Sequence, residues 1–233
     1  MPRPRVFRTT SLRSLVYRLH SSVTKFCKHG RVIETTTLRP RFGQVMTIVV
    51  AAIVVAALVS FIVVGDWAGL ARTASILLLF VWATYVAFWS PSVTVDPAGV
   101  VIRNLVREHR VTWPAIERID TKYALELYTA TQKFTAWAAP APSRLTSGRA
   151  GRADLTGLPE STYGAGGSIR PGDLPTSESG QASLLVRRRW EALRDSGALD
   201  AGVDGTGVST TWIPLNIAVL VALAVASVVS GVL

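Results

Sequence analysis

Three long stretches of this chain carry no charge, and they decide what it can fold into. Gln44 to Val64 reads QVMTIVVAAIVVAALVSFIVV, Thr73 to Trp89 reads TASILLLFVWATYVAFW, and Ile213 to Leu233 reads IPLNIAVLVALAVASVVSGVL. As a helix the first measures about 31 Å, enough to cross a hydrocarbon core of ~30 Å. Its Val and Ile would favour a strand in water. In lipid every backbone polar group needs a partner within the segment, so helix is expected. The second block, of 17 residues, lies near the short limit for a span. Trp82, Tyr85 and Trp89 gather toward its end and Trp67 precedes it, aromatic residues of the kind that favour the headgroup boundary. GDWAGLAR between the two blocks reads as the tight turn of a helical hairpin. Pro214 is tolerated in the first turn of the third block. A chain of 233 residues is too small to cover three such segments in a soluble core, so three membrane spans are expected.

The basic residues set the expected orientation. Residues 1–43 hold ten Lys/Arg against one acid, Glu34; the 65–72 turn holds Arg72 and Asp66; residues 90–212 hold fourteen Lys/Arg and thirteen acids. Lys and Arg near span ends favour the cytoplasmic side. The N-terminus and the long middle segment are therefore expected in the cytoplasm of a cell whose plasma membrane holds the chain, with Leu233 outside. Forty-three residues before the first block exceed the n-region of a signal peptide. The head resembles a transit peptide in its Arg, Ser and Thr, and it equally fits an extension from an upstream start, since Met46 lies just inside the first block. Leu12, Leu15, Val16 and Leu19 with Arg13 and Arg18 fit a short interfacial amphipathic helix. Net charge is +10, which favours anionic lipid or nucleic acid. Phe7, Tyr17 and Phe26 do not interleave with the head's basic residues as a base-stacking platform requires, so no nucleic acid is expected.

Chemistry is sparse. Cys27 stands alone, and His20, His29 and His109 have no metal-ligand spacing, so neither disulfide, metal nor cofactor is expected. No phosphate loop, H-E-x-x-H or nucleophile elbow occurs, and no catalytic residue is assigned. No charge lies within a span, which argues against an ion pathway.

From Ser92 the hydrophobic pattern switches to period two. Val93 and Val95 alternate with polar neighbours, and Asp96-Pro97-Ala98-Gly99 fits a type I turn. Val100 to Asn104 returns, Arg110 to Trp113 follows, and Lys122 to Tyr128 and Lys133 to Ala138 are further strands around a Thr129–Gln132 turn. Short strands at this spacing suggest a small curved sheet or partial barrel. Residues 141–180, rich in Gly, Pro and Ser, read as a flexible linker. Residues 181–196 read as an amphipathic helix through Ala182, Leu185, Val186, Arg189 and Leu193. A linker of that length counts against this helix closing the barrel.

The runs VTVDPAGVVIRN, REHRVTWPAIERID and KYALELYTATQKFTAWAAPAPSR resemble the bacterial PH-like domain of small actinobacterial membrane proteins. The marks are Asp96, Gly99 and Val100, then Arg110 to Trp113, then Ile116. ESGQASLLVRRRWEALRD resembles the tail of the same proteins, so the likeness spans roughly residues 40–200 without the linker. It departs at Thr129–Lys133, where a glycine turn would be expected, and not every relative has the third span. The expected fold class is membrane α plus small antiparallel β, with the C-terminal transmembrane helix over 212–233 read from the third uncharged block; the resemblance implies a helical hairpin over 44–90 and a PH-like partial β-barrel over 91–140. It also implies a non-enzymatic module that binds membrane lipids or a protein partner. Arg103, Arg107, Arg110 and Lys122 are the expected headgroup or partner contacts. Arg187, Arg188, Arg189 and Trp190 form a second basic-aromatic cluster. Glu108, Glu117 and Asp120 lie among the first group and would pair much of its charge. An accessory subunit of a membrane transport or envelope-synthesis complex is the rival expectation, because small residues such as Ala51, Ala56, Ala218 and Ala222 suit close helix packing.

Overall fold

The computed structural model describes residues 35–142, 157–199 and 207–232. The basic head from Arg3 to Arg31, with Cys27 and the helix expected near Leu12–Leu19, lies outside them, as does the 143–156 part of the expected linker.

Three helices are long and apolar enough to cross a membrane: Arg41–Val64 (α1), Trp67–Trp89 and Pro214–Gly231. The second comprises an α-helix, Trp67–Thr84 (α2), and a π-helical turn, Tyr85–Trp89. The third belongs to the helix Pro214–Val232 (α4). The eight-residue turn expected between the first two shrinks to Gly65 and Asp66. Gly65 ends α1 at φ 77°, a left-handed conformation that suits glycine, and its N–H bonds Ile62. Asp66 caps α2 by accepting the Gly69 N–H at 2.8 Å, so Trp67 to Arg72 are recruited into the helix. A Cβ on Gly43 would collide with the Phe88 carbonyl oxygen, so α1 and the π-helical turn meet backbone to backbone there. Midway along α2, the Ser75 hydroxyl hydrogen-bonds the Ser230 hydroxyl at 2.8 Å, which ties α2 to the last turn of α4.

The polar middle builds two antiparallel sheets. Strands Thr36–Leu38 (β1), Ser92–Val95 (β2), Gly99–Arg103 (β3), Arg107–Thr112 (β4) and Val208–Trp212 (β8) form one, in the order β1-β2-β3-β4-β8. Strands Arg118–Asp120 (β5), Ala124–Tyr128 (β6) and Lys133–Pro140 (β7) form the other. The expected turn at Asp96 is present: its Oδ1 accepts the Ala98 and Gly99 N–H groups at 2.8 and 2.7 Å. Trp113 Nε1 donates to the Asp96 carbonyl at 3.1 Å, so two marks of the resemblance meet. At the departure from the pattern, Thr129 replaces the missing glycine turn. Its N–H and hydroxyl both donate to the Gln132 carbonyl, at 3.0 and 2.8 Å.

The core lies between the sheets and under the helix Glu178–Asp195 (α3). Val93, Ile102 and Val111 from the first sheet meet Leu125, Leu127 and Ala136 from the second. Ala182 and Val186 of α3 are fully buried in the same cluster, and burial of a side chain like Val186 is worth roughly 1.5–3 kcal/mol. The expectation from linker length is thus overturned: α3 does pack onto the sheets. Residues 157–177 explain how. They carry three 3-10 turns, at Glu160–Thr162, Ala165–Gly167 and Pro171–Asp173, and bury Thr162, Asp173 and Leu174. This stretch is held by side-chain contacts rather than by the sustained periodicity that sequence reading looks for.

Glu178 ties α3 to α1. Its half-buried carboxylate accepts the backbone N–H groups of Arg41 and Phe42, the first turn of α1, while burial pushes the carboxyl above its ordinary value of 4.5. A raised folded value means the fold favours the protonated form. This group's contribution therefore grows as pH falls from that raised value toward 4.5. Glu178→Gln keeps an acceptor and removes the buried charge, so at neutral pH it should be at least as stable as the parent. Glu178→Ala loses the cap and should cost about 1 kcal/mol. Thermal unfolding of the detergent-solubilised chain between pH 4 and 7 checks both, and a Gln variant weaker than Ala would contradict the argument.

Candidate functional site

Strand alternation sorts the basic residues of β4. Arg107, His109 and Val111 point to one face and Glu108 and Arg110 to the other. Val111 is in the core, so Arg107 and His109 continue that face outward along the strand. β8 supplies their cross-strand neighbours, with Arg107 opposite Trp212 and His109 opposite Thr210. The Arg107 guanidinium lies 4.0 Å from the centre of the Trp212 ring, a cation–π contact that orients it. Among the described residues Arg107 has no carboxylate partner. His109 Nδ1 and the Thr210 hydroxyl hydrogen-bond at 2.9 Å, and the ring leans on Phe134 with centroids 5.0 Å apart. Burial first, and the Arg107 charge second, hold the imidazole below its ordinary value of 6.5, so it is neutral at pH 7.

A groove of about 350 Å³ opens here between the β3–β4 turn and β7, lined by Asn104, Leu105, Arg107, His109, Thr135 and Trp137 among others. Asn104 bridges its two sides. Its Oδ1 accepts the Trp137 N–H at 3.0 Å and its Nδ2 donates to the Thr135 carbonyl at 3.0 Å. The groove also sits at the ends of two apolar helices. Trp137 Nε1 donates to the Ala87 carbonyl in the π-helical turn at 2.8 Å. Asn216, in the first turn of α4, donates to the Leu105 carbonyl at 2.8 Å, and the Ile213 N–H bonds Val106 at 2.9 Å. Trp137 and Trp212 stay 55% and 56% exposed beside it. The chemistry on offer is anion binding: one oriented cation, amide and imidazole hydrogen-bonding groups, and two indole faces.

The residues singled out from sequence do not form one patch. Arg110 is exposed on the other face of β4, where it pairs with Glu108 at 3.1 Å. Arg103 stands opposite Glu108 across the β3–β4 pair. Lys122 is exposed with its ammonium 5.0 Å from the Tyr123 ring centre. The second cluster divides. Arg187 is buried, with Nη2 on the Ile119 carbonyl at 3.0 Å and Asp173 at 3.4 Å, and a second bond to the Ser161 carbonyl. It cannot reach a headgroup, and its reading as a surface contact is corrected. Trp190 packs against the core and donates from Nε1 to the Ile116 carbonyl at 3.0 Å, which serves the fold. Arg188 is exposed, its Nη2 on the Gly157 carbonyl at 3.4 Å, and Arg189 is half-buried.

Sequence reading missed His109, Trp137, Trp212 and Asn104 as a group. One signal was available: Trp137 occupies an outward position of an alternating strand, and Trp212 stands two residues before an apolar helix. Both are places where an indole needs a reason. No curated protein and no solved structure matches the chain. PH domains are generally non-catalytic binding modules that take lipids or proteins, and residues 90–161 of this chain, from just before β2 through β7 to Ser161, match the family model of the bacterial PH domain.

Proposed function

We propose that this chain is a multi-pass protein of the plasma membrane that presents a PH-like binding module on the cytoplasmic side, with three spans, the N-terminus inside and Leu233 outside. The observation that carries the reading is the hydrogen-bonded seating of the module on the apolar helices. Trp137 reaches Ala87, Asn216 reaches Leu105, and β8 runs into α4 through the single residue Ile213. A module held this way has a fixed height above the bilayer. Exposed Ile48, Ile53, Val55, Val63, Phe80, Val225 and Val228 on the helices support the spans, since a water-soluble surface rarely carries so much contiguous apolar area. The module binds a lipid headgroup or a protein partner without performing catalysis. Arg103, Arg107, Arg110, Lys122, Arg188 and Arg189 are its proposed cationic contacts, and Arg107 is the best placed.

Cysteine accessibility tests the topology. With Cys27 replaced by Ser, Thr131→Cys in the exposed β6–β7 turn should resist a membrane-impermeant maleimide in intact cells. Ala68→Cys, exposed in the first turn of α2, should label. Labelling of Thr131→Cys from outside, or release of the chain by alkaline carbonate, would overturn the reading.

A further inference from the structure

We propose that the β4–β8 seam is an acid-labile joint, in which protonation of His109 loosens β8 from β4 and frees the head of α4 from the module. The inference goes beyond the binding reading and needs no ligand. The backbone sets the geometry. The Gly207 carbonyl accepts the Thr112 N–H at 2.8 Å, and the Ile213 N–H donates to Val106 at 2.9 Å. Backbone groups alternate sides along a strand, so Ser209 and Thr211 also turn theirs toward β4. Thr210 and Trp212 then hold the non-hydrogen-bonded positions, where facing side chains stand closest. Their partners across the seam are His109 and Arg107. The side-chain layer is thus two contacts: His109 Nδ1 with the Thr210 hydroxyl at 2.9 Å, and the Arg107 guanidinium 4.0 Å from the Trp212 ring centre. Little else holds the strand. Ser209 to Trp212 are exposed, and of β8 only Val208 packs against the core. A strand with few buried apolar contacts opens at low cost. β8 enters α4 through Ile213, so its opening releases the Ile213–Val106 and Asn216–Leu105 bonds that seat the first turn of α4.

A proton on His109 meets nothing that neutralises it. Arg107 shares its face of β4, two residues away, and repels it. Around the ring β3 presents Ile102, β7 presents Phe134, Thr135 and Trp137, β8 presents Thr210 and Trp212, and the β3–β4 turn presents Asn104. None of these is acidic. Glu108 points to the other face of β4, where Arg110 holds it. The Thr210 hydroxyl still accepts from an imidazolium, so protonation changes the charge of the seam rather than its hydrogen bond. In the open strand the ring meets water and regains its ordinary value of 6.5. In the closed seam burial, and then Arg107, lower that value. Closure is therefore fully favoured above pH 6.5 and loses this advantage as pH falls from 6.5 through the lowered value. The seating on α2 does not follow. The Trp137–Ala87 bond and the approach of Gly43 to Phe88 contain no titrating group, so acid loosens the module from α4 while its hold on the π-helical turn stays.

The test is hydrogen–deuterium exchange of the full chain in neutral detergent. It is read by mass spectrometry on the peptide spanning β8, as protection relative to the intrinsic exchange rate at each pH. Between about pH 7.5 and about pH 5.5 the protection of β8 should fall several-fold, with a ceiling of roughly tenfold for an open-state imidazole read one unit below its ordinary value. Protection of the β2–β3 hairpin should hold steady. His109→Gln and His109→Asn, neutral at every pH used, should each remove the fall while β8 stays protected at the higher pH. Arg107→Gln should shrink it. Glu178→Gln, whose contact with α1 does not titrate, should show the fall of the parent. A parent whose β8 protection is flat with pH overturns the proposal. So does a fall that survives in both His109 variants, one that disappears with Glu178→Gln, or one that the β2–β3 hairpin shares, which would mark global unfolding. Neither the topology nor the ligand of the module enters this measurement, so failure of the binding reading leaves it standing.

Discussion

Asp173→Ala should lower the stability of the chain by about 3–5 kcal/mol, because it strands the Arg187 guanidinium in the protein interior. The two side chains are 6% and 2% exposed. Arginine does not escape by losing its proton, so the cation stays when its partner goes. What remains in contact are the Ile119 and Ser161 carbonyls, which accept hydrogen bonds but carry no net charge, while Asp120 and Glu191 act only from beyond ion-pair distance. The Ser183 hydroxyl loses its Asp173 contact at 3.3 Å as well. The pair itself is not a strong net stabiliser. Burial pulls Arg187 below its ordinary value, outweighing the opposing pull of Asp173 and then of Asp120 and Glu191. Replacing both partners with apolar residues, Asp173→Leu with Arg187→Met, should therefore cost far less than either single change. Denaturant unfolding of the four variants in one detergent measures the coupling. If the single variants lost less than the double variant, the buried-charge account would be wrong.

The same pair shows why sequence reading stopped where it did. The apolar blocks are legible because their signal is local: uncharged runs long enough for a bilayer define three helices without any tertiary information. The β2–β3 hairpin is equally local, since Asp96 and Gly99 set a turn from within four residues. Arg187 is different. It stands in an Arg-Arg-Arg run and reads as solvated, and its burial depends on Asp173 and on carbonyls 26 and 68 residues away in sequence. The outer strands fail for a related reason. Thr36–Leu38 spans only three residues and Val208–Trp212 is mostly polar, so neither alternates convincingly. Each exists because an edge of the first sheet offers unpaired backbone groups, β2 to one and β4 to the other. The groove inherits that difficulty. Arg107 was visible as a cation, but Trp212 enters only through the β4–β8 register and Trp137 only through Asn104.

Gly180→Ala is expected to cost about 2 kcal/mol, although alanine is the better helix former. In an exposed helix that substitution gains up to ~1 kcal/mol. Here a Cβ would overlap the Leu174 carbonyl and approach the Asp173 carbonyl carbon, backbone atoms that cannot swing aside as a side chain does. The first turn of α3 would have to move off the segment before it, and overpacking of this kind costs about 1–3 kcal/mol even before lost contacts are counted. Gly172 is under the same constraint, since its Cβ would overlap the Thr121 carbonyl next to β5. The two glycines thus let residues 171–180 lie backbone to backbone on the barrel, and that approach brings Asp173 to Arg187. Gly231 of α4 is the control: nothing lies within 4 Å of a Cβ there, so alanine should be tolerated. Because Gly180→Ala and Asp173→Ala act on one contact, their combined loss should fall short of the sum of the two. Thermal unfolding of the single and double variants decides it. Full additivity would mean that α3 docks independently of the Asp173–Arg187 pair, whereas a shortfall of 1 kcal/mol or more would place helix docking and burial of the ion pair in one cooperative event.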